Sequence, residues 1–109
     1  MKLKITGRHM DVTSALKDYV ETRFVRLNRY GSKMKSLEVV LEVEKLQHKA
    51  EAIGTLNGKS VQAKTSTPEM YTTIDVLVDR VDAQLRKLKE RLVSHKPGKV
   101  RRIRSSSGM

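Results

Sequence analysis

Arg80, Gln84, Lys87 and Arg91 stand at i, i+4, i+7 and i+11, a spacing that lines side chains along one side of an α-helix. No acid falls on that side, and the row extends about 16 Å at ~1.5 Å per residue. Three cations and an amide in such a row suit a run of phosphates, because Lys and Arg gain affinity by releasing condensed counterions, without any sequence code. Polyanion binding is therefore the chemistry on offer. The opposite edge of the same helix carries Asp75, Asp79, Asp82 and Glu90, with Arg86 among them. Asp82 to Arg86 and Arg86 to Glu90 are both i,i+4 pairs, so this edge is expected to be exposed and self-paired, with Arg86 divided between a salt-bridging and a binding role. Lys89 lies beside the apolar stripe, from which its head group can snorkel outward.

Two further basic groups stand elsewhere. Arg26 and Arg29 lie on an earlier helical stretch facing away from its apolar side, with Arg23 flanking it. They extend the positive surface or, beside Asp18 and Glu21, make a plain solvated face. Lys45-Leu46-Gln47-His48-Lys49 is a basic turn, either inserted into a groove, with Lys45, His48 and Lys49 as contacts, or a simple surface hairpin.

Other chemistry is missing. His9, His48 and His95 have no metal-ligand spacing, and no acids complete a ligand set. No nucleophile elbow, phosphate-cradling loop or dinucleotide fingerprint is present. No enzyme, cofactor, metal or small-molecule substrate is expected. Tyr19, Tyr30, Tyr71 and Phe24 are too scattered for a base-stacking platform, so binding should read phosphate and shape.

The elements that must position these residues follow from periodicity. Lys2 to Gly7 alternates, with Leu3 and Ile5 on one side, and reads as a strand that Gly7 can bend. Thr13 or Ser14 caps a helix of about four turns whose apolar positions are Leu16, Val20, Phe24 and Leu27, stopped by Gly31. Leu37, Val39, Leu41 and Val43 alternate with a mostly acidic set, a second strand. Lys49 to Leu56 and Lys59 to Thr65 flank Asn57-Gly58, the dipeptide of a type I′ hairpin turn, and become strands three and four. Thr67-Pro68-Glu69 then reads as N-cap, first-turn proline and first-turn acid. Met70, Ile74, Leu77, Val81, Leu85, Leu88 and Leu92 form one stripe, so the helix runs to about Val93. The result is an α+β domain of order β-α-β-β-β-α, a four-stranded sheet with both helices on one face. Residues 1–95 form the domain, and 96–109 a basic, Ser-rich tail expected to be disordered. The outer sheet face carries Glu38, Glu42 and Glu44, a poor phosphate platform, which leaves RNA to the helices.

Composition agrees. The chain has 109 residues, with 23 Lys+Arg against 12 Asp+Glu, a formal net charge of +11. Residues 1–76 hold 13 basic and 9 acidic groups and residues 77–109 hold 10 and 3, so the excess sits toward the C-terminus. With 38% hydrophobic and 4% aromatic residues there is material for one aliphatic core. The absence of Cys excludes disulfides and thiolate chemistry. The alternating N-terminus is unlike a signal peptide, and no apolar run approaches the roughly 20 residues of a membrane span. A cytoplasmic protein with no membrane partner is expected.

The residues also resemble a known family. Ile5-Thr6-Gly7-Arg8-His9, Thr13-x-Ala15-Leu16-x-x-Tyr19-Val20, Leu27-x-x-Tyr30, Val43-Glu44-Lys45 followed by His48-x-Ala50-Glu51, Met70-Tyr71-x-x-Ile74-Asp75-x-Leu77-Val78-Asp79 and Gln84-Leu85-x-Lys87 together are similar to the ribosome hibernation-promoting factor and ribosome-associated inhibitor family over residues 1 to about 93. The resemblance implies a fold similar to a double-stranded RNA-binding domain. It also implies a stress or stationary-phase factor, monomeric off the ribosome, that lies in the mRNA and tRNA channel of the small ribosomal subunit. Such a factor contacts 16S ribosomal RNA and inhibits translation by occlusion. Carried over by position, Arg80, Lys87, Arg91 and Lys89, with the Lys45 to Lys49 turn, correspond to basic positions of that surface. The chain resembles a short form lacking the second domain of long members. Its Val43-Glu44-Lys45 strand end matches the type that promotes ribosome dimers, while its basic tail, with Arg101, Arg102 and Arg104, fits neither short type. The alternatives are a modulator of an alternative sigma factor and a generic RNA-binding protein.

Overall fold

The computed structural model describes residues 1–94, with side chains given through Glu90 except that of Ser32. The order is β1 (Lys2–Arg8), α1 (Ser14–Phe24), a 3-10 segment (Val25–Lys33), β2 (Ser36–Glu44), β3 (Gln47–Leu56), β4 (Lys59–Thr67) and α2 (Met70–Ser94). The strands form one sheet in the order β1-β2-β3-β4. β1 pairs parallel with β2, and the other two pairings are antiparallel. This is the β-α-β-β-β-α arrangement that the apolar periods require. The expected tail, residues 96–109, lies outside the described residues.

Registers place alternate residues on each face. The inward rows are Leu3, Leu37, Gly54, Val61; then Ile5, Val39, Ala52, Ala63; then Gly7, Leu41, Ala50, Thr65. β3 therefore presents only small inward residues along this stretch, which lets α2 lie close over β3 and β4. Val20, Phe24, Leu27 and Tyr30 share one core with Ile74, Leu77, Val81 and Leu85 of α2 and with the inward strand face, so both helical stretches cover the same side. Burial of these side chains supplies the main drive to fold, about 1.5–3 kcal/mol for each large aliphatic. Leu88 packs against the core edge, and the side chain of Leu92 lies outside the described residues.

Three details depart from the expected local structure. The first helical stretch is an α-helix only to Phe24 and continues as a 3-10 segment, with Gly31 at φ 61° near its end. Gly7 does not bend β1. It stays paired with Leu41, and a Cβ there would meet the Met10 carbonyl oxygen at 2.3 Å, so glycine admits the returning chain. Glu69, not Thr67, caps α2: its carboxylate accepts from the Tyr71 and Thr72 amides at 3.1 and 2.8 Å. Those bonds hold the Glu69 carboxyl below its ordinary range. Thr67 acts one step earlier, accepting from the Glu69 amide at 3.1 Å. The Asn57-Gly58 turn has positive φ at both residues, as its type demands.

Candidate nucleic-acid interface

α2 runs along β4, the strand at one edge of the sheet, and its side chains occupy that edge. Gln84 donates to the Gln62 carbonyl at 2.6 Å and accepts from the Gln62 amide at 3.3 Å, so its primary amide pairs as a neighbouring strand would. Arg80 donates to the Lys64 carbonyl at 2.8 Å. Both contacts satisfy backbone groups that an edge strand otherwise leaves open. They also make the row less free than the helix spacing alone suggests, and they define a groove of about 390 Å³ between α2 and β4, lined by Gln62, Ala63, Lys64, Arg80, Ala83, Gln84 and Lys87. Three cations and no acid line it. Arg80 and Lys87 form no ion pair among the described residues, and Lys64 meets only Glu51, at 3.9 Å. Arg91 lies on the same helix, but its side chain is outside the described residues. Lys64 was not among the sequence candidates, since only pairing of β4 beside α2 brings it into the row.

The opposite edge of α2 is organised differently. Arg23 pairs with Asp75 at 2.8 Å, Arg26 with Asp79 at 2.5 Å, and Arg29 with Asp82 at 2.5 Å. The aspartates step by four and three along α2, and the arginines step by three along the end of α1 and the 3-10 segment. Side chains three apart eclipse in a 3-10 turn, which helps line the arginines up where α-helical spacing would fan them out. Asp82 is the hub of this clamp and is only 4% exposed, contrary to the exposed edge expected for it. It accepts two bonds from Arg29 Nη2 at 2.5 and 2.6 Å and one from the Tyr30 hydroxyl at 2.7 Å, with Arg26 Nε at 3.7 Å. Burial alone would push its carboxyl up, but the Tyr30 and Arg29 hydrogen bonds and the Arg29 and Arg26 charges outweigh it, and the net direction is down. Burial, followed by the Asp82 bond, raises the Tyr30 hydroxyl.

Arg86 pairs with Asp82 at 3.4 Å, as its spacing predicts, but forms no pair with Glu90. Lys89 is exposed. Tyr19 and Tyr71, apart in sequence, meet edge-to-face at 4.7 Å, and the Tyr19 hydroxyl donates to Asp75 at 2.8 Å, a bond that raises it. The structure thus groups Arg80, Gln84 and Lys87 in one groove, sets Arg26, Arg29 and Arg86 around Asp82, and leaves Lys45, His48 and Lys49 at the β2–β3 hairpin.

The outer sheet face is closer to neutral than its acids suggest. Glu42 pairs with Arg8 at 3.5 Å, Glu44 with Lys49 at 2.5 Å, and Glu51 with Lys64. Lys49 holds the Glu44 carboxyl below its ordinary range, and Glu44 raises the Lys49 ammonium. A hollow of about 610 Å³ on this face is bordered by Arg8, Lys49, Lys64 and Arg80 with Glu42 and Glu51 between them, so the α2–β4 groove and the β2–β3 hairpin adjoin one surface. Among the described residues, no group of three or more His, Asp or Glu side chains is placed to hold a metal ion, and no helix is long and apolar enough to cross a membrane.

The fold is a four-stranded α+β domain with a cationic groove beside its edge strand. The chain belongs to the Sigma 54 modulation protein / S30EA ribosomal protein family, whose model matches residues 3–93. It is 41% identical over 98 residues to the ribosome hibernation promoting factor of Azotobacter vinelandii, covering 90% of this chain and 92% of that one. It is 37% identical over 95 residues to the protein of the same name from Escherichia coli K12, covering 87% and 100%. Among solved structures it is similar to a ribosomal subunit interface protein from Coxiella burnetii, with TM-score 0.78 and 26% identity over 83% of this chain and 99% of that one. It is likewise similar to the N-terminal domain of Thermus thermophilus Protein Y, with TM-score 0.73 and 32% identity over 81% and 99%.

Proposed function

We propose that this protein is a ribosome hibernation factor of the cytoplasm that binds 16S ribosomal RNA in the mRNA and tRNA channel of the small subunit. It inhibits translation by occupying that channel, promotes pairing of ribosomes, and performs no catalysis. The observation that carries the reading is the acid-free groove of Lys64, Arg80, Gln84 and Lys87, in a chain whose relatives bear the name of hibernation promoting factors. In this reading Arg91 continues the groove's row, and Lys89, on the opposite border of the apolar stripe of α2, adds a contact near Arg86. Arg26, Arg29 and Arg86 offer phosphates the N–H groups that Asp79 and Asp82 leave free, and Lys45 and Lys49 form a separate contact at the hairpin, with His48 on the opposite sheet face and its Nδ1 buried.

Co-sedimentation with ribosomes through a sucrose gradient at 50 and 200 mM salt tests it. The four cations of the groove row, Lys64, Arg80, Lys87 and Arg91, by themselves predict a loss of affinity of roughly 50- to 150-fold between those concentrations. Migration with the small subunit or whole ribosome, abolished by Arg80→Glu with Lys87→Glu and Arg91→Glu while circular dichroism is unchanged, is the expected result. A peak heavier than single ribosomes marks the promotion of dimers. Protein left at the top of the gradient at low salt refutes the ribosomal reading and favours a role at a sigma factor.

A further inference from the structure

The two hairpins of the sheet are built from different materials. The β3–β4 turn uses Asn57-Gly58, residues suited to its positive φ values, and exposes no apolar side chain. The β2–β3 turn, between the paired Glu44 and Gln47, is Lys45-Leu46. Lys45 sits at φ 56°, the first central position, where a two-residue hairpin with positive φ at that residue alone favours glycine. A lysine held there is strained relative to glycine. Leu46 is 84% exposed, the most exposed of the large apolar side chains described, ahead of Val25 at 57%.

The base of this hairpin is braced. Thr73 Oγ1 donates to the His48 carbonyl at 3.0 Å, tying β3 to the first turn of α2. Ser66 Oγ donates to Gln47 Oε1 at 2.5 Å, and Lys49 pairs with Glu44 across the strands. Only two residues project beyond that bracing, so the tip is preorganised and loses little conformational freedom on contact. With Glu44 neutralised by Lys49, the tip's net charge is the ammonium of Lys45. Lys49 also borders the hollow that Lys64 and Arg80 line together with Glu42 and Glu51, so the α2–β4 groove and this hairpin adjoin one surface of mixed charge.

We infer that the Lys45-Leu46 tip is an RNA-reading wedge: Leu46 packs against the face of an unstacked base while Lys45 takes an adjoining phosphate. Short apolar side chains inserted beside bases are a general device of nucleic-acid binding. An exposed leucine beside a cation supplies both contacts of such a wedge, and neither residue is one that a two-residue turn favours. The inference rests on the ribosomal RNA reading above and adds a contact whose energy is apolar rather than electrostatic.

Leu46→Ser and Lys45→Gly, with the wild-type protein, are compared for small-subunit binding at 50 and 200 mM salt, alongside thermal melts and dimethyl sulfate probing of the 16S RNA. Leu46→Ser is expected to bind about tenfold or more weakly, as loss of a buried leucine contact implies, with the same salt slope and with loss of one base protection that the wild type gives. Lys45→Gly is expected to melt no lower than wild type, to bind more weakly and to lose about 0.7–0.9 of the salt slope, one phosphate contact. Unchanged affinity of Leu46→Ser overturns the wedge, provided the wild type binds. Weakened binding without a Leu46-dependent base protection overturns it in favour of a protein pocket. Failure of the wild type to bind refutes the ribosomal reading itself.

Discussion

Asp82 offers the sharpest test of how the helices are held together. It is buried, accepts from Tyr30 and Arg29, and has Arg26 and Arg86 beside it. Asp82→Ala removes the nearer of two acceptors of the buried Tyr30 hydroxyl, at 2.7 Å, and leaves it the Asp82 backbone carbonyl at 3.3 Å, so the loss lies at the low end of the range of about 1–3 kcal/mol for an orphaned buried donor. The Arg29 side chain is 54% exposed and regains water, so the full penalty of a broken buried ion pair does not apply. With the packing lost around the missing carboxylate, the total comes to about 2–3 kcal/mol, which lowers the melting temperature by roughly 10–20 °C in a domain of this size. Asp82→Asn keeps the shape and an acceptor for Tyr30 and should cost less, about 1–2 kcal/mol. Urea unfolding at pH 7 measures both. The pH dependence gives a second reading. Folded Asp82 holds its proton less tightly than an unfolded aspartate, so its contribution is complete above about pH 3.9 and disappears as pH falls through the lower folded value. Asp82→Asn should flatten that acid limb. Two variants within about 0.5 kcal/mol of wild type, the usual span of an indifferent surface change, would refute the hub.

Three further outcomes follow from the geometry. Gly54→Ala places a Cβ 2.8 Å from the Ser36 carbonyl oxygen and 2.9 Å from Leu37 Cδ1, and should cost about 1–3 kcal/mol in denaturant unfolding. Gln84→Ala frees the Gln62 amide on the β4 edge, which should exchange its hydrogen roughly 3- to 10-fold faster by NMR, the loss of one net hydrogen bond. Lys64→Ala should reduce the salt slope of small-subunit binding by about 0.7–0.9, whereas Arg86→Ala, paired with Asp82, should alter affinity much less than reversal of the groove cations.

Much of the fold is legible because its signals are local. The alternation of β2, the Asn57-Gly58 dipeptide and the stripe of α2 each lie within a short window, and each element stands where its period places it. The miss on Asp82 has a definite physical cause. Its position on α2 borders the apolar stripe, so burial is decided by what packs over that border, and the cover comes from Arg29 and Tyr30, over fifty residues earlier. A helical wheel also assumes 3.6 residues per turn, which spreads Arg23, Arg26 and Arg29 apart. The tighter 3-10 turn gathers the last of them toward one line. Lys64 was missed for the same class of reason: no spacing along the chain relates a strand's edge to a helix sixteen residues on.

The arrangement of acids explains how a chain with twelve of them still presents a cationic groove. Asp75, Asp79 and Asp82 answer the arginines of the first helical stretch, Glu42, Glu44 and Glu51 answer cations across the outer face, and Glu69 is bound to the amides that open α2. Each of these acids thus has a local structural partner, and none lines the groove of Lys64, Arg80 and Lys87. A surface ion pair adds little to stability, but it fixes where negative charge is spent. Salt therefore distinguishes two roles in one molecule. The Asp82 carboxylate, buried although its arginines are half exposed, should keep holding the helices through short hydrogen bonds as ionic strength rises, while binding through the open groove weakens steeply. A protein that releases its partner at high salt with its melting temperature unmoved would display that separation directly. A parallel loss of stability and binding would mean that the clamp and the groove are electrostatically one site.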